Sequence, residues 1–93
     1  PKHERYSLGE KMEKSIIETM ELIIMGNAQP KNFKDVYLYK ANAKIEILKV
    51  FYRMAFDIEI IKDKEYLMTE EFLQEIGRML GGWLKYLKSN QWV

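Results

Sequence analysis

An all-α fold, an antiparallel up-down helical bundle forming one domain over residues 1–93, is what this sequence predicts, and three observations predict it. Proline occurs only at Pro1 and Pro30, which leaves long stretches that no residue breaks. Within those stretches apolar residues recur at steps of three and four, the period of a helix with one buried face. The links between stretches are short, and short links force consecutive helices to run antiparallel.

The first helix is expected over residues 8–25. Ser7 has Glu10 three residues on, the spacing of a capping box. Leu8, Met12, Ile16, Met20 and Ile23 then mark one face, and Gly26-Asn27 offers a left-handed residue to stop the helix. The second helix is expected over residues 33–60 with Asn32 as N-cap. Leu38, Ala41, Ile45, Leu48, Tyr52 and Ala55 form its seam, and Ile47, Phe51, Met54 and Ile58 form a second apolar row beside it. The third helix is expected over residues 64–88 with Asp63 as N-cap. Its seam is Tyr66, Thr69, Leu73, Ile76, Leu80, Trp83 and Leu87, with Phe72, Met79 and Tyr86 as the second row.

The second and third helices thus carry about twice the apolar stripe of roughly 100° that one core requires. The surplus is expected to meet another helix, another subunit or a partner. Gly77, Gly81 and Gly82 fall inside the third helix, where each costs about 1 kcal/mol relative to Ala. Close approach of another helix backbone is the favoured reason, and a ligand-contacting surface the second. On the packing reading, a large side chain at Gly81 should cost stability.

Chemistry is sparse. There is no Cys, which removes disulfides and thiolate chemistry together, and His3 is the single His, too few for a His-pair metal site. The carboxylates fall on polar arcs, and no Glu has a His three residues on, as a di-iron bundle would need. No catalytic residue, metal or cofactor is therefore expected. An enzyme with its site at a subunit junction is the least favoured reading. Charge is balanced, 15 Lys+Arg against 14 Asp+Glu, which weakens a nucleic-acid reading made on composition alone. The cations that could still meet phosphates include Arg78, Lys85 and Lys88 on the third helix, and the preferred candidates are Lys2, Arg5, Lys11 and Lys14, with Lys40, Lys44, Lys49 and Arg53 on the second helix. No apolar run is long enough to span a membrane, and a cytoplasmic location is expected.

Two segments carry a resemblance. Lys2-His3-Glu4-Arg5-Tyr6-Ser7-Leu8-Gly9-Glu10-Lys11 and Glu75-Ile76-Gly77-Arg78-Met79-Leu80-Gly81-Gly82-Trp83-Leu84-Lys85, at this separation, resemble the four-helix-bundle family of the accessory variability determinant (Avd) of diversity-generating retroelements. Proteins encoded in intervening sequences of bacterial 23S ribosomal RNA genes fall in the same family. The resemblance implies a non-enzymatic four-helix bundle that assembles as a homopentamer. It also implies partners, a reverse transcriptase and RNA or DNA. Ile47, Phe51, Met54, Ile58, Phe72, Met79, Gly77, Gly81, Gly82 and Trp83 would then serve bundle and subunit packing. Family members carry another helix before the His3 segment, so the natural protein is expected to extend beyond Pro1. The rival reading is a protein–protein interaction bundle with no nucleic-acid role.

Overall fold

Three long helices account for nearly all of the described chain. The structure, a computed structural model, describes the backbone of residues 2–89 and the side chains of residues 7–89. Helix α1 spans Lys2–Ala28, a short 3-10 turn spans Lys31–Phe33, α2 spans Lys34–Asp57 and α3 spans Asp63–Ser89, with no strand among the described residues.

Both ends of α3 and the start of α2 lie within one residue of the expectation, while both ends of α1 and the end of α2 differ for local reasons. Ser7 does not cap α1, because nothing from Lys2 to Tyr6 opposes helix and the helix runs through. Gly26 does not stop α1 either: no described glycine has positive φ. Pro30 ends the helix instead, at φ −57 and ψ 152. The α1 carbonyls left open at that end are met by Lys34, whose Nζ donates to Asn27 O at 2.6 Å and to Gly26 O at 3.3 Å. Gly26 has a packing reason, since a Cβ there would sit 3.0 Å from Tyr37 Cβ. The 3-10 turn displaces Asn32 from the N-cap; Phe33 takes that place with no side-chain hydrogen bond. At its other end α2 stops at Asp57, short of residue 60. There Ile60 N donates to Ala55 O at 2.8 Å and Glu59 N to Phe56 O at 3.0 Å, the paired bonds of a Schellman motif. Its left-handed position is filled by Glu59, at φ 60. Asp63 then opens α3 as its first residue rather than as its cap.

The α2 seam forms as its spacing predicts. Leu38, Ala41, Ile45, Leu48 and Ala55 are buried, Tyr52 is half-buried, and Leu73, Leu80, Leu84 and Leu87 of α3 close over them. Each buried Leu or Ile contributes about 1.5–3 kcal/mol of transfer free energy. The α1 seam does not follow the expectation. Leu8, Ser15, Thr19 and Gly26 are buried, while Ile16 and Met20 are exposed. With half-buried Met12 and Leu22 these make an unbroken alternation of steps of four and three. Small residues let α1 approach α2 closely. Of the two hydroxyls on this face, Thr19 Oγ1 donates to Ser15 O at 2.6 Å, and no fully buried side-chain N or O among the described residues lacks a partner.

The Cα envelope is 54 × 21 × 13 Å. Three helices about 8–10 Å apart in a triangle would give two similar short axes. The unequal pair fits three corners of a square, with α2 between α1 and α3 and the fourth corner open. Along that corner runs an apolar groove of about 290 Å³, lined by Ile16 and Met20 of α1, Leu48 and Tyr52 of α2, and Phe72 and Ile76 of α3 among others.

Candidate functional site

The cations marked in the sequence do not gather into one patch. Lys2 and Arg5 lie outside the residues whose side chains are described. Lys11 and Lys14 border a hollow on α1 shared with Glu10, Glu13, Glu18 and Glu21. On α2, Lys40 and Lys44 face the α1 side, in a shallow recess with Glu18, Glu21 and Ile47. Lys49 and Arg53 follow Lys44 by five and nine residues, which at about 100° per residue turns them toward α3.

Three of these four are also engaged with carboxylates. Lys44 Nζ lies 2.6 Å from Glu18 Oε2, Lys49 Nζ 3.1 Å from Glu46 Oε1, and Arg53 Nε 3.2 Å from Asp57 Oδ1. The Lys44 hydrogen bond holds the Glu18 carboxyl below its ordinary range. Arg53 is tied into the α2–α3 hairpin more broadly. Its guanidinium lies 5.9 Å from the Phe56 ring, which stacks on Tyr66 at 4.5 Å. The Tyr66 hydroxyl, and then Asp57, hold Arg53 above its already high value. Sequence reasoning missed Glu18 as the partner of Lys44 because it compared charges within one helix only.

The second apolar rows stay largely uncovered. On α2, Ile47 and Met54 are exposed, as is Ile58 at its C-cap, and Phe51 is half-buried; on α3, Phe72 and Met79 are about two-thirds exposed, at 64% and 65%. Val36 and Val50 extend the α2 row, so its back presents an apolar stripe over most of its length. Trp83 is half-buried against the core. Among the described residues, nothing packs against the three glycines of α3. A Cβ at Gly77, Gly81 or Gly82 would meet no atom within 4 Å, so the expected close helix contact is not made by α1 or α2.

Two cation–aromatic pairs that the sequence did not single out sit where the start of α2 meets the end of α3. Lys31 Nζ stands 5.7 Å from the Tyr86 ring centre, and Lys88 Nζ stands 5.7 Å from that of Tyr39. The neighbouring Tyr39 hydroxyl holds Lys88 above its ordinary value, so it is cationic at neutral pH. Both rings keep wide exposed area, 46% for Tyr39 and 60% for Tyr86. The sequence marked Lys85 and Lys88 among its candidate cations, in a Lys-Tyr-x-Lys run at residues 85–88 with no acid beside it, but not their pairing with aromatic rings.

Among the described residues no group of three or more His, Cys, Asp or Glu could hold a metal, and no helix is long and apolar enough to cross a membrane. A family model described as bAvd-like matches residues 1–87. No curated protein and no solved structure matches the chain.

Proposed function

The chain belongs to the bAvd-like family, and on that footing we propose that it is a non-catalytic, oligomeric accessory protein of a diversity-generating-retroelement type of system. In this reading it binds a reverse transcriptase and nucleic acid, and several copies, five by resemblance, assemble through the uncovered apolar row of α2. The observation that carries it is the pairing of this family with the exposed stripe formed by Val36, Ile47, Val50 and Met54 on α2 and Ile58 at its C-cap. A stripe of that extent on a soluble surface marks an interaction site.

Net charge is only +1 per chain, so nucleic-acid affinity would come from repetition around the assembly. Multivalency raises avidity by about 10²–10⁴ with no new contact type. The test is a salt titration of binding to mixed-sequence RNA and DNA, run beside co-purification with any reverse transcriptase found encoded near the gene. The expected result is binding near 50 mM salt that falls steeply by about 200 mM, as released counterions require, together with a stable complex with the transcriptase. Absence of both sinks the reading. A complex with the transcriptase but no nucleic-acid binding favours the second reading, a protein–protein interaction bundle. Carboxylates already beside Lys44, Lys49 and Arg53 support that alternative.

A further inference from the structure

We propose that the outer face of the second half of α3, with Tyr39 and Lys31 at its two edges, is a track for single-stranded nucleic acid. The inference rests on the reading that the protein meets nucleic acid, and it places that contact away from the α2 lysines.

The charge pattern comes first. No Asp or Glu follows Glu75 in the chain, while Arg78, Lys85 and Lys88 do. Arg78 is paired with Glu75, but among the described residues no carboxylate stands at ion-pair distance from Lys31, Lys85 or Lys88. Lys85 bonds to no side chain among the described residues, while Lys31 and Lys88 lie against tyrosines rather than carboxylates, with Asp35 near enough to Lys88 to act on its charge.

Arrangement comes next. At about 100° per residue, Lys88, Gly81, Lys85, Gly82 and Tyr86 follow one another around the outside of α3, covering an arc of about 160° opposite the buried Leu80 and Leu87. The Lys88–Tyr39 pair bounds the arc on one side and the Tyr86–Lys31 pair on the other. A strand crossing the end of α3 would therefore meet an aromatic face, two lysines and a second aromatic face in succession.

The glycines supply the third observation, and it is independent of the charges. Gly81 and Gly82 lie in the middle of the arc with open space where a side chain would be. Two unpacked glycines weaken α3 with no packing return among the described residues. They do leave a flat lane beside Lys85 in which a sugar–phosphate backbone can lie close to the helix.

Unpaired bases are the form of nucleic acid this face fits. Stacking on a tyrosine needs a free base face, which a duplex does not offer along its length, and aromatic stacking with a cationic track is the common mode for single strands. The strand would be held with little sequence preference, because neither lysines on phosphates nor rings on base faces read base edges.

The test is anisotropy of a labelled mixed-sequence single strand and of the matching duplex, with the complete chain and three variants. Tyr39→Leu with Tyr86→Leu is expected to weaken strand binding at least tenfold and leave duplex binding unchanged. Lys85→Gln with Lys88→Gln is expected to flatten the slope of log affinity against log salt by about 0.7 per lysine. Gly82→Leu separates folding from binding: it should raise the melting temperature, since Leu is the better helix former, yet weaken strand binding severalfold. Full strand binding by the tyrosine pair or by Gly82→Leu overturns the track. If those variants bind fully and Lys40→Glu with Lys44→Glu does not, nucleic-acid binding survives at another face. If the unaltered chain binds no strand at low salt, the underlying reading fails and the track fails with it.

Discussion

Glu59 holds the one left-handed φ among the described non-glycine residues, at 60°, and it does so to end α2. The turn needs that conformation: with Glu59 left-handed, Ile60 N and Glu59 N reach back to Ala55 O and Phe56 O. A side chain with a Cβ gives up about 1 kcal/mol there, whereas glycine gives up almost nothing in the folded state. Part of that gain is offset because glycine leaves the unfolded chain more freedom. Glu59→Gly is therefore expected to stabilise the fold by about 0.5 kcal/mol, worth roughly 2–4 °C in a domain of this size. Thermal melts at one fixed protein concentration check it. A lowered melting temperature would mean that the Glu59 side chain does more than fill the turn.

At the scale of the elements, α1 and α2 are joined by small buried residues and, among the described residues, by one ion pair across them, Lys44–Glu18 at 2.6 Å. The Lys44 hydrogen bond is the largest influence holding the Glu18 carboxyl below its ordinary value. A depressed carboxyl favours the folded state above its unfolded value, about 4.3, and that support is lost as pH falls through the folded value. Melting temperatures of the unaltered chain and of Lys44→Met, measured from pH 7 down to about pH 3, should differ most near neutrality and converge at the acid end. A difference that stays constant over that range would show that Lys44 acts through its methylenes alone. This pair also marks what the sequence could not tell. Its partners are 26 residues apart on different helices, and spacing within one helix says nothing about such a contact. The α2 seam was legible because Leu38, Ile45 and Leu48 are strongly apolar and evenly spaced. The α1 seam was not, because Ser15 and Thr19 are polar while Ile16 and Met20 beside them are apolar. Leu8 and Met12 belong to both faces, but reading hydrophobicity beyond them turned α1 by about 60°. The Lys31–Tyr86 and Lys88–Tyr39 pairs were hidden for the same reason as Lys44–Glu18, since each joins residues of different elements.

For the molecule as a whole, the open corner and the uncovered stripes decide how stability depends on concentration. The exposed side chains include Ile17, Ile24, Val50, Phe72 and Met79, all more than half exposed. A chain of this size buries only about 60–65% of its unfolded surface, so covering those stripes by association would add a large share of the total stability. If chains fold and associate together, dilution unfolds them, because mass action stabilises only the assembled state. For five copies each tenfold dilution removes about four-fifths of 1.4 kcal/mol per chain, or roughly 1.1 kcal/mol. At roughly 4–8 °C per kcal/mol, the melting temperature should fall by about 5 °C or more for each tenfold dilution. Ile47→Glu with Met54→Glu places charge on the back of α2, where both side chains are about half exposed and neither is buried in the core. The double variant should melt at the lower temperature and lose the concentration dependence. A melting temperature that is flat from about 1 to 100 μM in the unaltered chain, with light scattering giving the mass of one copy, would leave the stripes for a different partner.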